Sequence, residues 1–171
     1  MPRSSRTLFI AGALGVTAFA AIAGVASAHD NHESAAPRDR WTGVYTLTDD
    51  EVGAIASWAE PFATPADAEA NGHPSLDLCF DHMGSHYADP ASFADGVLDA
   101  AKPEVLVYAD VDGTEQLVAV EWVSTSPGEV LGVPMHLNHD LDVFVLHAWI
   151  GLENPSGLLA DHNPNVGECA A

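Results

Sequence analysis

Two stretches, QLVAVEWVS at 116–124 and DVFVLHAWI at 142–150, are apolar on both faces except for one ionisable residue each. In an extended segment successive side chains point to opposite sides. One face of the first stretch carries Leu117, Ala119, Glu121 and Val123; the other carries Val118, Val120 and Trp122. The second sets Val143, Val145, His147 and Trp149 against Phe144, Leu146, Ala148 and Ile150. Such strands are buried on both sides. A buried carboxylate or imidazole is costly unless it is paired, hydrogen-bonded or metal-bound. Glu121 and His147 are therefore expected to meet each other or to share a cation. A strand end reaching solvent, or a plain Glu–His hydrogen bond serving structure, would answer the same problem.

The rest of the chain says what surrounds these strands. Residues 104–124 read as a hairpin: Val105 to Ala109 and Gln116 to Ser124 are rich in strand formers, and Asp112-Gly113 supplies the turn. Residues 141–152 are the third strand. Residues 125–140, with Pro127, Gly128, Gly132 and Pro134, read as a long loop. Before the hairpin, Thr48 caps a helix with Asp49, Asp50 and Glu51 in its first turn, and Pro61 stops it. Thr64 and Pro65 open a second helix, closed by Asn71-Gly72, and Asp89-Pro90 starts a further short one. Helices first and strands afterwards predict an α+β fold: N-terminal helices packed on an antiparallel sheet of three or more strands, followed by a turn-rich tail.

The start of the chain points to export. A short basic head at Arg3 and Arg6, an apolar run from Leu8 to Val25 and Ala26-Ser27-Ala28 describe a secretory signal peptide over 1–28. A membrane anchor is the competing reading, weakened by the Gly- and Ala-rich run and the cleavage pattern that ends it. The run has no Arg-Arg pair before it and no cysteine after it, which argues against a twin-arginine signal and against a bacterial lipid anchor. Residues 29–40 are polar and lack periodicity, a flexible arm ahead of a single globular domain at 41–171. Loss of residues 1–28 would leave 143 residues with three basic and 25 acidic side chains, a formal charge of −22. That surface repels phosphate backbones and anionic lipid, which excludes nucleic-acid binding and leaves no membrane association after cleavage. A secreted or periplasmic location follows.

Two cysteines, Cys79 and Cys169, are most simply one disulfide in an exported chain. It would close a loop of about 90 residues, worth roughly 4–5 kcal/mol in the chain-entropy model. Cys79 opens the segment CFDHMGSHYADP at 79–90, so a thiolate shared with His82 and His86 is the competing reading. On a helix His82 and His86 would share a face at i and i+4, a spacing that zinc and copper sites use. Gly84 between them weakens the helix. A loop folded over the sheet would instead add His86 to Glu121 and His147 as a three-ligand set. Glu104, at the head of its strand, is the next candidate. Two imidazoles and a carboxylate suit zinc, copper or another borderline divalent ion.

Other patterns carry less. His29 would become the first residue after cleavage and could chelate copper through its amine and ring, with His32 nearby, but the arm would hold such a site loosely. Met135, His136 and His139 in MHLNHD faintly suggest copper(I); solvation in the loop is the simpler account. YADVDG fails the calcium-loop spacing, so Asp110 and Asp112 are turn residues. Nucleophile motifs and glycine-rich phosphate loops are absent; Ser156 lacks a GxSxG frame.

The segments MGSHYADP, PEVLVY, LVAVEWV and LHAWIGLENPSGLLADHNPNVGEC, within residues 79–169, resemble an uncharacterised family of small secreted bacterial proteins. That family shares MGxHY, PExLVY, VE-aromatic and LHxW…NPSGxxxDxNPxxxC segments. The resemblance places His86, Glu104, Glu121, His147, Asn154, Asp161 and Cys169 inside shared motifs and His82, His136, His139 and His162 outside them. It implies no catalytic residue. Three functions stay open: a metal-binding exported domain, a structural or interaction module with a buried Glu–His pair and no metal, and a metal-dependent hydrolase.

Overall fold

The structure, a computed structural model, describes residues 45–169. The expected leader at 1–28, the arm at 29–40 and the histidines His29 and His32 lie outside the described residues.

Two reciprocal caps start the first two helices. In α1 (Asp49–Ala59) the Thr48 hydroxyl accepts from the Glu51 N–H while the Glu51 carboxylate accepts from the Thr48 N–H at 2.7 Å. Pro61 stands in the 3-10 turn Glu60–Phe62 that ends the helix. In α2 (Pro65–Ala70) Thr64 and Asp67 repeat the arrangement, and Gly72 takes a φ of 88° just past the end. A third helix, α3 (Pro90–Asp95), is capped by Asp89. Among the described residues no helix is long and apolar enough to cross a membrane.

The sheet has six strands, twice the three recognisable in sequence. They are β1 (Ser75–Phe80), β2 (Gly84–Ala88), β3 (Val105–Val111), β4 (Thr114–Ser124), β7 (His136–Asn138) and β8 (Val143–Ala148). Their order is β1-β2-β3-β4-β8-β7, and every neighbouring pair is antiparallel. The expected turn joins β3 to β4: Asp112 and Gly113 both have positive φ, and the Asp110 carboxylate accepts from the Gly113 N–H at 2.8 Å. The expected loop at 125–140 is not free of structure. It contains β7 and a separate two-stranded ribbon of β5 (Glu129–Val130) and β6 (Val133–Pro134).

The helical spacing considered for His82 and His86 is overturned. Residues 75–88 form a hairpin, with His82 in the turn at φ 61° and His86 in β2. Gly84 enters β2 at φ 113°, where a Cβ would collide with the Tyr108 carbonyl. A tight turn and a close backbone approach thus replace the helix that i, i+4 spacing allows.

A bulge corrects the face assignment of β4. Val107 pairs with Ala119 but Tyr108 pairs with Leu117, so Val118 is an extra residue. Leu117 is thereby turned to the face of Val120 and Trp122, and Val118 joins Ala119 on the other. From Ala119 onward the expected alternation holds. The bulge finds partners outside the ladder: Leu117 N–H donates to the Ala63 carbonyl and the Val118 carbonyl accepts from Gly151 N–H, at 3.1 and 3.0 Å.

Two apolar clusters result. The first gathers Leu106, Tyr108, Val120, Trp122 and Leu146 with Ile55, Phe62 and Ala68 from the helical segment. The second contains Val105, Val107, Ala119 and Trp149 with Met83 and Val166. Val166 belongs to the tail, which the Cys79–Cys169 disulfide ties to β1. Hydrogen bonds clasp the same tail to the β1–β2 turn. Asn163 N–H donates to the His82 carbonyl, His82 N–H to the Gly167 carbonyl, and Cys169 N–H to the Asp81 carboxylate, at 2.8, 3.0 and 2.9 Å.

Candidate metal centre

Register places the strand residues together. Glu121 in β4 lies directly opposite His147 in β8, and directly opposite Val105 in β3. His86 in β2 lies opposite Val107, one strand beyond β3. Neighbouring strands are about 4.8 Å apart, so His86 and Glu121 stand roughly 10 Å apart across β3 at the backbone. The curl of the sheet and two long side chains close that gap. His86 Nε2 lies 3.8 Å from Glu121 Oε2, and His147 Nε2 lies 3.4 Å from Glu121 Oε1.

The three side chains are buried, at 4 % exposure for His86, 6 % for Glu121 and 1 % for His147. One donor atom from each falls within 4.8 Å of the others, the single such group among the described residues. Two ligands on a tetrahedral zinc, each about 2.1 Å from the ion, stand roughly 3.4 Å apart. The two observed spacings run to different Glu121 oxygens and are longer than hydrogen bonds, which need about 2.7–3.2 Å. His147 Nε2 and His86 Nδ1 are buried without a hydrogen-bond partner. The His86 ring is held edge-on to Phe80, with centroids 5.3 Å apart.

Electrostatics separates the two imidazoles. Burial pushes the His86 pKa below its ordinary value, Glu121 opposing and His147 reinforcing the shift. That shift favours the neutral imidazole, the form that coordinates metal. Burial acts on His147 in the same direction, but Glu121 and then Asp161 outweigh it, and its pKa lies above the ordinary value. A metal at Nε2 would displace the proton that those two carboxylates otherwise favour.

Glu104 lies outside this group. Its carboxylate accepts from the Val123 N–H at 3.0 Å, just past the point where β3 stops pairing with β4. It therefore continues the ladder with a side chain. Burial raises its pKa to about 7 against that stabilising hydrogen bond. Cys79 is committed to the disulfide, which removes the thiolate-ligand reading. His82 turns away to the tail, its Nδ1 2.8 Å from the Val166 carbonyl.

Two residues joined to the site, Asp161 and His136, were not placed beside His147 by the sequence. Asp161 meets His147 Nδ1 with Oδ1 at 3.4 Å and His136 Nε2 with Oδ2 at 3.0 Å. His136 is thus bound to a carboxylate instead of merely solvated in a loop. The Asp161 pKa is low because His136 and His147 together outweigh the effect of burial. Only the shared-motif position of Asp161 hinted at this, since its tail has no periodicity to reveal what it faces.

Family models, curated proteins and solved structures yield no match to this chain.

Proposed function

We propose that the protein is an exported domain that binds one divalent transition metal, zinc or copper, through His86, Glu121 and His147. The carrying observation is the convergence of their buried donor atoms within 4.8 Å, with His147 Nε2 lacking a hydrogen bond. A neutral imidazole, a second imidazole flanked by carboxylates and one carboxylate form a set suited to borderline ions. Export rests on the leader pattern at 1–28 and on the disulfide, and the shared sequence segments support kinship with small secreted bacterial proteins. The helices at 49–70 would cover one side of the sheet, and the tail the side that carries the site.

Burial of all three donors supports retention of an ion over hydrolysis, which needs an open position for water. A metal-free module gains support from the raised pKa of His147 between Glu121 and Asp161. The two readings part on one measurement. Elemental analysis of the purified protein is expected to show about one metal per chain, lost in the His86→Ala/His147→Ala double variant. Unchanged metal content in that variant refutes the site. No metal in the parent, with a loss of about 1–3 kcal/mol on Glu121→Ala, establishes the metal-free pair.

A further inference from the structure

Asp161 reaches the site from a segment that sequence pattern leaves unstructured, and its position is fixed from three sides. Behind it, the Trp149 indole N–H donates to the Ala160 carbonyl at 2.6 Å, and Trp149 N–H donates to the Leu158 carbonyl at 2.9 Å. Ahead of it, Asn163 N–H bonds the His82 carbonyl in the turn before β2. Beside it, His136 from β7 meets Oδ2, leaving Oδ1 directed at His147. Trp149 directly follows β8 and packs in the cluster of Ala119 and Val166, so the residue that anchors the tail lies two positions from the one that carries the imidazole.

The geometry points to Asp161 as the positioning residue of the metal site: it holds the His147 ring with hydrogen on Nδ1, so that Nε2 is presented to the ion beside Glu121. Asp161 does not belong to the three-donor group and acts only through His147. A metal-bound imidazole commonly donates its other N–H to a carboxylate, which sets tautomer and ring orientation, and loss of that partner weakens metal binding about 10–100-fold. His136 serves the same end one step out by fixing the Asp161 carboxylate. The 3.4 Å separation is longer than a hydrogen bond, and His147 Nδ1 and Asp161 Oδ1 are both buried with no other hydrogen-bond partner, so each is available to the other.

This inference rests on the proposed metal site, and the experiment separates their failures. Zinc affinity is measured by competition with a chromophoric chelator for the disulfide-bonded full chain and for Asp161→Asn. Proton–nitrogen NMR of the His147 ring reads the Nδ1–H hydrogen bond, through that proton's shift and its exchange with water, in each zinc-loaded protein. The expected result is stoichiometric zinc on the parent with His147 protonated on Nδ1. For Asp161→Asn, affinity falls about 10–100-fold and the Nδ1 proton signal broadens or is lost. Equal zinc affinity in the two proteins overturns the inference alone. A weakened variant whose His147 Nδ1–H shift and exchange match the parent also overturns it, because the aspartate would then act only on folding. A parent that takes up no zinc overturns the metal site and this inference together. Ser85→Ala, on β2 but outside the donor group, is the control and is expected to bind as the parent does.

Discussion

The two faces of the sheet solve the burial of polar atoms in opposite ways. On the face of Tyr108 and Trp122 these two large side chains each have a direct partner for the polar atom. Tyr108 donates to the Phe62 carbonyl at 2.8 Å and Trp122 to the Asp99 carbonyl at 3.0 Å. On the opposite face His86, Glu121 and His147 crowd together at 3.4–3.8 Å, and ring nitrogens of both histidines lack hydrogen bonds. Native interiors rarely leave such atoms unmet, and here they gather on the face whose His86, Glu121 and His147 could hold a metal. The first face behaves as ordinary core.

Substitutions on each face should break this contrast in different observables. Trp122→Ala has the largest expected effect on folding, a loss of about 3–5 kcal/mol in denaturant unfolding, with zinc stoichiometry of the folded fraction unchanged. If that variant instead lost its ion while remaining folded, the faces would not be independent. Next comes the ion itself. Zinc at 100 times its dissociation constant should raise parent stability by about 2.7 kcal/mol and leave the His86→Ala/His147→Ala protein unaffected, as read from unfolding curves with and without the metal.

The smallest effect sharpens the comparison of two buried carboxylates. Glu121 faces imidazoles, whereas Glu104 faces a backbone N–H. Because the Glu104 pKa is raised from 4.5 to about 7, the folded state binds more protons than the unfolded state between those values. Its contribution is complete below pH 4.5 and is lost as pH rises through about 7. Glu104→Gln should therefore flatten the stability profile over that window and be more stable at pH 8 by on the order of 1 kcal/mol, after allowing for solvent screening. A variant with the parent's pH slope would show that Glu104 is not the titrating group.

How much of this was legible depends on whether information was local. The caps at Thr48 and Thr64 and the Asp112-Gly113 turn were readable because each is decided within a few residues. The opposition of Glu121 and His147 was readable because a lone charge in an apolar strand demands a partner, and the register supplies it. The hairpin at 75–88 was not, since His82 and His86 fit helical spacing and only the turn at His82 and the crowding at Gly84 decide against it. Asp161 was invisible as a neighbour of His147 because tail residues held by Trp149 and the disulfide carry no pattern that names their contacts. The face of Leu117 was misread because the bulge at Val118 depends on β3 and Gly151, which β4 cannot announce.

That one additional residue sets the parity of β4. Side chains before and after it are counted from different origins, and the shift ends immediately ahead of Ala119-x-Glu121. Deleting Val118 would impose one count along the whole strand, so either Leu117 would leave its layer or the carboxylate at 121 would be thrust between the rings of the opposite one. The spacing of that strand is therefore locked to within a single amino acid, whereas its exposed tip near Thr114 and Glu115 could grow or shrink by pairs without consequence.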